Sequence, residues 1–182
     1  LGLPLNNYDA TKQIIDLIAS RYMNSIEIYG LRFGTVNGPS PNMRWELILN
    51  SMIKSAIETG VIHVSNPDFY RPVYFMDNLI QDITTILENN SPEPGIYNLC
   101  TINNTILEHA NLVAICAERK GIPIKDLVIH NSWIKQDLVL KPYNFKISNI
   151  KCCKKLSMPV FRSDYHNIED LEIMIMELKD KI

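Results

Sequence analysis

Tyr8-Asp-Ala-Thr-Lys12 heads a long amphipathic run near the start of the chain. Tyr8 and Lys12 are four residues apart, a spacing that on an α-helix stacks both side chains on one face, one turn apart. An ammonium beside a phenol favours the phenolate, and a tyrosine tuned this way can exchange a proton with a substrate hydroxyl near neutral pH. A Tyr, a Lys and a helix between them therefore make a usable acid/base device. Asn6 or Asn7 can cap this helix, which is expected to run to about Met23, with Ile14, Ile15, Leu17, Ile18 and Tyr22 on one broad apolar face. A face that wide predicts burial on two sides, against the chain's own sheet and against a second subunit. The chain begins with Leu1 and opens almost directly into this helix, so a part upstream of it is expected.

Beyond that helix, β and α signals alternate. Ile26 to Arg32 reads as a short strand with β-branched and aromatic content. It runs into Phe33-Gly-Thr-Val-Asn-Gly-Pro-Ser-Pro41, a Gly/Pro-rich loop at a strand's carboxyl end, the edge where open α/β sheets collect ligands. A helix over Trp45 to Thr59 stops at Gly60. Val61 to Val64 is a small strand, Asn66-Pro-Asp68 a turn, and Arg71 to Phe75 strand-like, with Asp77 capping a helix to about Asn89. Gly95 to Leu99 is a strand. Thr105 and Glu108 form a capping box for a helix that ends before Gly121. Asp126 to Asn131 and Pro142 to Ile147 read as extended. Ser148 can cap a short helix to Leu156, and Asn167 a last one over Ile168 to Lys181. This alternation predicts an α/β fold.

Bulk composition excludes several classes. Of 182 residues, 46% are hydrophobic and 21% charged, a core-forming balance. Net charge is −2, which leaves no electrostatic footprint for nucleic acid; the basic run Lys151 to Lys155 reads as a solvated helix face. No apolar run approaches the roughly 20 residues a membrane span needs. Cys100, Cys116, Cys152 and Cys153 contain no C-x-x-C pair, so a disulfide framework or metal site is not expected and a reducing, cytoplasmic setting is. His63, His109, His130 and His166 are scattered without ligand spacing.

Four stretches, in order, carry a resemblance. Tyr8-Asp-Ala-Thr-Lys12 looks like a Y-x-x-x-K motif. Leu31-Arg-Phe-Gly-Thr-Val-Asn-Gly-Pro39 is similar to a strand-to-loop "LR…(N/T)V.GP" segment, and Arg71-Pro-Val-Tyr-Phe-Met-Asp77 to "R-(P/D)-(F/Y)-(I/V)-H-V-x-D". Ile96-Tyr-Asn-Leu99 is similar to a "YN(L/V)G" strand. Together they resemble the C-terminal half of an extended short-chain dehydrogenase/reductase, the NAD-dependent sugar-nucleotide epimerase/dehydratase family. The resemblance implies an incomplete Rossmann-type parallel sheet, from residues 1–36 and 72–100, plus a small α+β substrate lobe from residues 37–71 and 101–182. In that family the tyrosine takes the proton of the sugar C4′ hydroxyl while hydride passes from C4′ to the nicotinamide. By resemblance Tyr8 is that acid/base, and Lys12 holds the nicotinamide ribose. Phe33 and Val36 lie against the nicotinamide of NAD or NADP. Thr35, Asn50, Arg71 and, more weakly, Arg44 touch the nucleotide sugar; an Arg fork suits a diphosphate because it pairs bidentately. Ile62 and Val64 lie near the base. The Tyr8 helix is implied to pair with its mate in a homodimer.

The departures matter as much. A dinucleotide site needs a Gly-rich turn, and no G-x-x-G-x-x-G lies in this chain. The family's catalytic Ser/Thr would fall before Leu1. Tyr74-Phe75-Met76 stands where the family has its "H-V", and Tyr143 where a diphosphate-binding Arg is expected. Two readings follow: part of an NAD(P)-dependent nucleotide-sugar epimerase or dehydratase, or a non-catalytic sugar-nucleotide binding or assembly module. With neighbouring strands missing, apolar faces and unpaired edges are expected to leave the 182-residue chain by itself prone to aggregation unless another chain completes it.

Overall fold

The computed structural model describes residues 3–89, 92–130, 144–156 and 164–182. Helix α1 (Asn7–Tyr22) is capped by Asn6, whose side chain accepts from the Asp9 amide at 2.9 Å. Strand β1 (Tyr29–Phe33) follows and pairs in parallel with β5 (Gly95–Leu99), placing the two carboxyl ends, Phe33 and Leu99, side by side. A mixed sheet places β4 (Tyr70–Phe75) between β2 (Thr35–Asn37), parallel to it, and β6 (Ile102–Thr105), antiparallel. A third parallel pair joins β3 (Val61–Ser65) to β7 (Asp126–His130). Helices α2 (Ile48–Thr59), α3 (Met76–Glu88), α4 (Ile106–Arg119), α5 (Ile150–Leu156) and α6 (Asp164–Lys179) cover these sheets. The α/β expectation holds: small parallel sheets resemble the C-terminal part of a Rossmann-type fold.

Two hydrophobic clusters hold the chain. The larger joins α2, α4 and α6 to β3 and β4 through Leu49, Ile53, Ile62, Val64, Val73, Val113 and Leu171. The smaller, around Tyr74, Tyr97, Leu99, Cys152 and Leu156, packs α5 against β5. Tyr74 also hydrogen-bonds the Asp82 carboxylate in this dry region. The four cysteines are free, and burial pushes the Cys152 thiol up to about 12.

Several local expectations shift. Helix α2 begins at Ile48, three residues after Trp45, and ends as expected at Gly60, whose φ of 74° is the left-handed cap. Asp77 does not cap α3: the helix already begins at Met76, so Asp77 sits in its first turn, favourable there for its charge alone. Asn167 lies inside α6, which starts at Asp164. Two strands, β2 and β6, arise where none was expected. Within β6, Asn103 copies a strand partner with its side chain: its amide donates to the Ile147 carbonyl (2.7 Å) and accepts from the Ile147 amide (2.8 Å). Asn131, Pro142 and Tyr143 lie outside the described residues.

The broad face of α1 is not covered by the described residues. No residue of α1 is buried, and Ile14, Ile15, Leu17, Ile18 and Tyr22 are each more than half exposed. The helix is tied to β1 by an ion pair of Arg32 with Asp16 at 2.7 Å. Neither β1 nor β5 has a second strand neighbour among the described residues. A contiguous apolar face and two open strand edges drive association. The isolated chain is expected to elute as oligomers or aggregates in light-scattering chromatography; a monodisperse, cooperatively melting monomer would overturn this.

Candidate functional site

A cleft of about 410 Å³ opens where β2, β3 and β4 meet the start of α2. Thr35, at the start of β2, and Arg71, near the start of β4, both line it. They are brought together by the parallel register that sets Thr35 opposite Val73, two residues from Arg71. Gly34 makes this approach possible. A Cβ there would stand 2.9 Å from the Pro72 carbonyl oxygen, too close for any side chain.

The third wall comes from β3. Its side chains alternate, so Ile62 and Val64 point into the core at 0% exposure. The cleft is lined instead by His63 and Ser65. The two-residue period of the strand keeps the Ile62 and Val64 side chains in the core while the same strand forms a wall of the cleft. His63 Nδ1 lies 3.0 Å from His130 Nε2 across the β3–β7 pair. The fourth wall is the entry to α2, with Glu46, Ile48 and Ser51. The α2 N-cap, Leu47, offers no side-chain cap. A helix start without such a cap turns N–H groups and a partial positive charge towards whatever lies in front of it.

Arg44 is spent elsewhere: its guanidinium pairs with Glu46 at 2.7 Å and does not line the cleft. A hydrogen bond from the Glu46 backbone, followed by Arg44, holds the Glu46 carboxyl below its usual range. Asn50 is 2% exposed, and its amide donates to the Arg44 carbonyl at 2.9 Å. It shapes the loop ahead of α2 from inside the fold, and it does not line the cleft.

Tyr8, Lys12, Phe33 and Val36 lie outside this lining. Lys12 Nζ stands 5.2 Å from the centre of the Tyr8 ring, so the four-residue spacing does bring the pair together on α1. The phenol is 67% exposed. Thr11 Oγ1 donates to the Tyr8 carbonyl at 2.7 Å. Phe33 ends β1 partly exposed, stacked on Tyr74 with ring centres 5.5 Å apart. Val36 packs on the smaller core cluster.

One residue close to the site looks ordinary in the sequence. His109 on α4 is fully buried, and its Nε2 lies 2.7 Å from the Arg71 carbonyl oxygen. Burial pushes this imidazole below its usual value of 6.5, against weaker upward pulls from that carbonyl and from Glu108. No sequence signal links residues 38 positions apart in this way. For His63 and Ser65 the signal was present, as the polar half of an alternating strand.

No protein-family model matches the sequence, and no curated protein matches it. Solved structures do match. The chain is similar to UDP-N-acetylglucosamine 4-epimerase from Methanobrevibacter ruminantium in complex with UDP-N-acetylmuramic acid, at 18% identity and a TM-score of 0.72, covering 99% of this chain and 56% of that one. It is similar to UDP-glucuronic acid 4-epimerase from Bacillus cereus in complex with UDP-glucuronic acid and NAD, at 20% identity and 0.71, covering 98% and 55%. It is also similar to dTDP-glucose 4,6-dehydratase from Bacillus anthracis in complex with NAD, at 15% identity and 0.69, covering 96% and 52%. The chain thus spans a little over half the length of these structures, and at such identities the likeness shows the fold.

Proposed function

We propose that this chain is part of an NAD(P)-dependent nucleotide-sugar epimerase or dehydratase of the extended short-chain dehydrogenase/reductase family. The observation that carries the reading is the cleft that Thr35 and Arg71 share. Two of the sequence stretches that carry the family resemblance, 31–39 and 71–77, contribute one wall each. The chemistry suits a nucleoside diphosphate. Arg71 supplies a planar donor fork, the uncapped start of α2 supplies amide donors, a ready anion site, and Thr35, Ser51 and Ser65 supply hydroxyls.

Tyr8 is the proposed acid/base for the sugar C4′ hydroxyl, with Lys12 on the ribose side of the cofactor. An exposed phenol with an ammonium beside it fits the nicotinamide end of NAD or NADP, as does the partly exposed aromatic ring of Phe33 at a strand's carboxyl end. When bound, that cofactor supplies reversible hydride exchange at carbon; Tyr8 holds or releases the hydroxyl proton. Residues 1–36 and 72–100 are proposed as the Rossmann part, and 37–71 with 101–182 as the substrate lobe. The exposed α1 face supports a homodimer through that helix.

A second reading, a sugar-nucleotide binding or assembly module without turnover, is supported by Tyr143, which stands where the family resemblance places a diphosphate-binding Arg. The enzyme and a binding module both require the cleft to bind a nucleoside diphosphate. Titrating UDP and dTDP into the complete gene product by calorimetry tests this. Arg71→Ala is expected to weaken binding roughly 10–100-fold, the worth of a charge-assisted contact. Absence of binding, or binding indifferent to Arg71, would sink both.

A further inference from the structure

We propose that His109 is a positioning residue for Arg71: its buried imidazole holds the Arg71 carbonyl and thereby fixes where the guanidinium stands in the cleft. The inference rests on the nucleotide reading given above.

The geometry assigns the proton. A carbonyl oxygen only accepts, so the His109 Nε2 that meets it at 2.7 Å carries the hydrogen. The other ring nitrogen, Nδ1, is buried with no hydrogen-bond partner among the described residues. An apolar side chain at this place would leave no such unpaired acceptor. What the imidazole does there that a leucine would not is donate to Arg71.

Arg71 precedes Pro72 in β4, where Pro72 pairs in register with Asn103. The start of α4 bonds this stretch of chain in three places. The Ile106 amide bonds the Phe69 carbonyl (2.9 Å), the Leu107 amide bonds the Pro67 carbonyl (3.1 Å), and His109 reaches Arg71. The Thr105–Glu108 capping box fixes the first turn from which His109 projects. Arg71 is thus held from behind by a helix while its side chain lines the cleft in front. Small displacements of a binding group cost affinity disproportionately.

The test is a double-mutant cycle read by UDP calorimetry on the complete gene product. His109→Leu is expected to weaken UDP roughly 2–10-fold, the scale of one neutral hydrogen bond. His109→Gln, which offers an amide donor at similar reach, is expected to restore most of it. In an Arg71→Ala background, His109→Leu is expected to change affinity less than about twofold, because its effect passes through Arg71. If His109→Leu is not recovered folded, His109→Phe, a flat ring without nitrogens, replaces it in every arm. The inference is overturned if His109→Leu costs as much without Arg71 as with it, which is general loosening, or if it costs nothing. Arg71→Ala binding UDP as well as wild type overturns the nucleotide reading itself, a distinct outcome.

Discussion

Tyr8→Phe in the complete enzyme is expected to lower turnover by roughly 10²–10⁴-fold, the range that a positioned general acid/base supplies, while UDP affinity stays within about twofold. The substitution removes a single oxygen from a side chain that is 67% exposed and belongs to a helix with no buried residue. Surface changes of that kind usually alter stability by less than about 0.5 kcal/mol, so a loss of activity cannot be charged to unfolding. The bonds that shape the first turn of α1 are also untouched. They run from the Asp9 amide to Asn6 and from Thr11 to the Tyr8 carbonyl, and neither uses the phenol. Lys12 keeps an aromatic ring beneath it, since phenylalanine preserves the face against which the ammonium stands. Affinity is expected to survive because Tyr8 does not line the cleft that holds Thr35 and Arg71. Steady-state kinetics with a nucleotide sugar, beside calorimetry with UDP, separates the two quantities. Undiminished turnover in Tyr8→Phe removes the acid/base role. A wild-type protein that binds UDP and turns over no nucleotide sugar gives the module reading instead.

What the sequence could and could not show divides along physical lines. Features that depend on a few consecutive residues were legible. The Thr105–Glu108 capping box forms with both hydrogen bonds, Gly60 takes the left-handed cap, and Gly95 to Leu99 is a strand with those bounds. The helical spacing of Tyr8 and Lys12 likewise brings the two together. Features that depend on distant partners were not legible. β2 is three residues long between two glycines and is a strand only because β4 lies alongside. β6 is mostly polar, and its Asn103 completes its pairing with side-chain atoms; strand propensity is weakest in such tertiary settings. The candidate site shows the same division. Thr35 and Arg71, which their motifs single out, line the cleft, whereas His109 is invisible in the sequence because its bond is to a carbonyl on a distant strand. His63 and Ser65 could have been found. Alternation along β3 turns the side chains of Ile62 and Val64 to the core and leaves His63 and Ser65 to line the cleft.

Leu171→Ala is expected to cost about 2–5 kcal/mol of folding stability, the range for deleting a well-packed leucine. The last helix, α6, places Leu171, Met174, Ile175 and Leu178 on one stripe, each at most 2% exposed, against α2 and α4. Its rim is charged: Glu172 meets Arg119 at 3.5 Å and Lys120 at 2.8 Å. Magnitude decides which of these holds the helix. Partly exposed ion pairs contribute about 0–1 kcal/mol each, whereas each stripe residue removes a whole apolar side chain from water, worth about 1.5–3 kcal/mol. Glu172→Gln is therefore expected to be nearly silent where Leu171→Ala is severe. Urea unfolding should show a lower midpoint with an unchanged slope. The loss is large against a total of about 5–15 kcal/mol for a typical domain. It should nevertheless leave UDP affinity intact well below the melting temperature, because Leu171 does not itself line the cleft. The helices that it supports do reach the site: α2 forms the cleft's entry and α4 carries His109. A drop smaller than about 1 kcal/mol would mean that α6 does not close this core. A normal drop accompanied by weakened UDP binding in the folded protein would mean that the packing of α6 sets the position of α2 or α4, and with it the shape of the site.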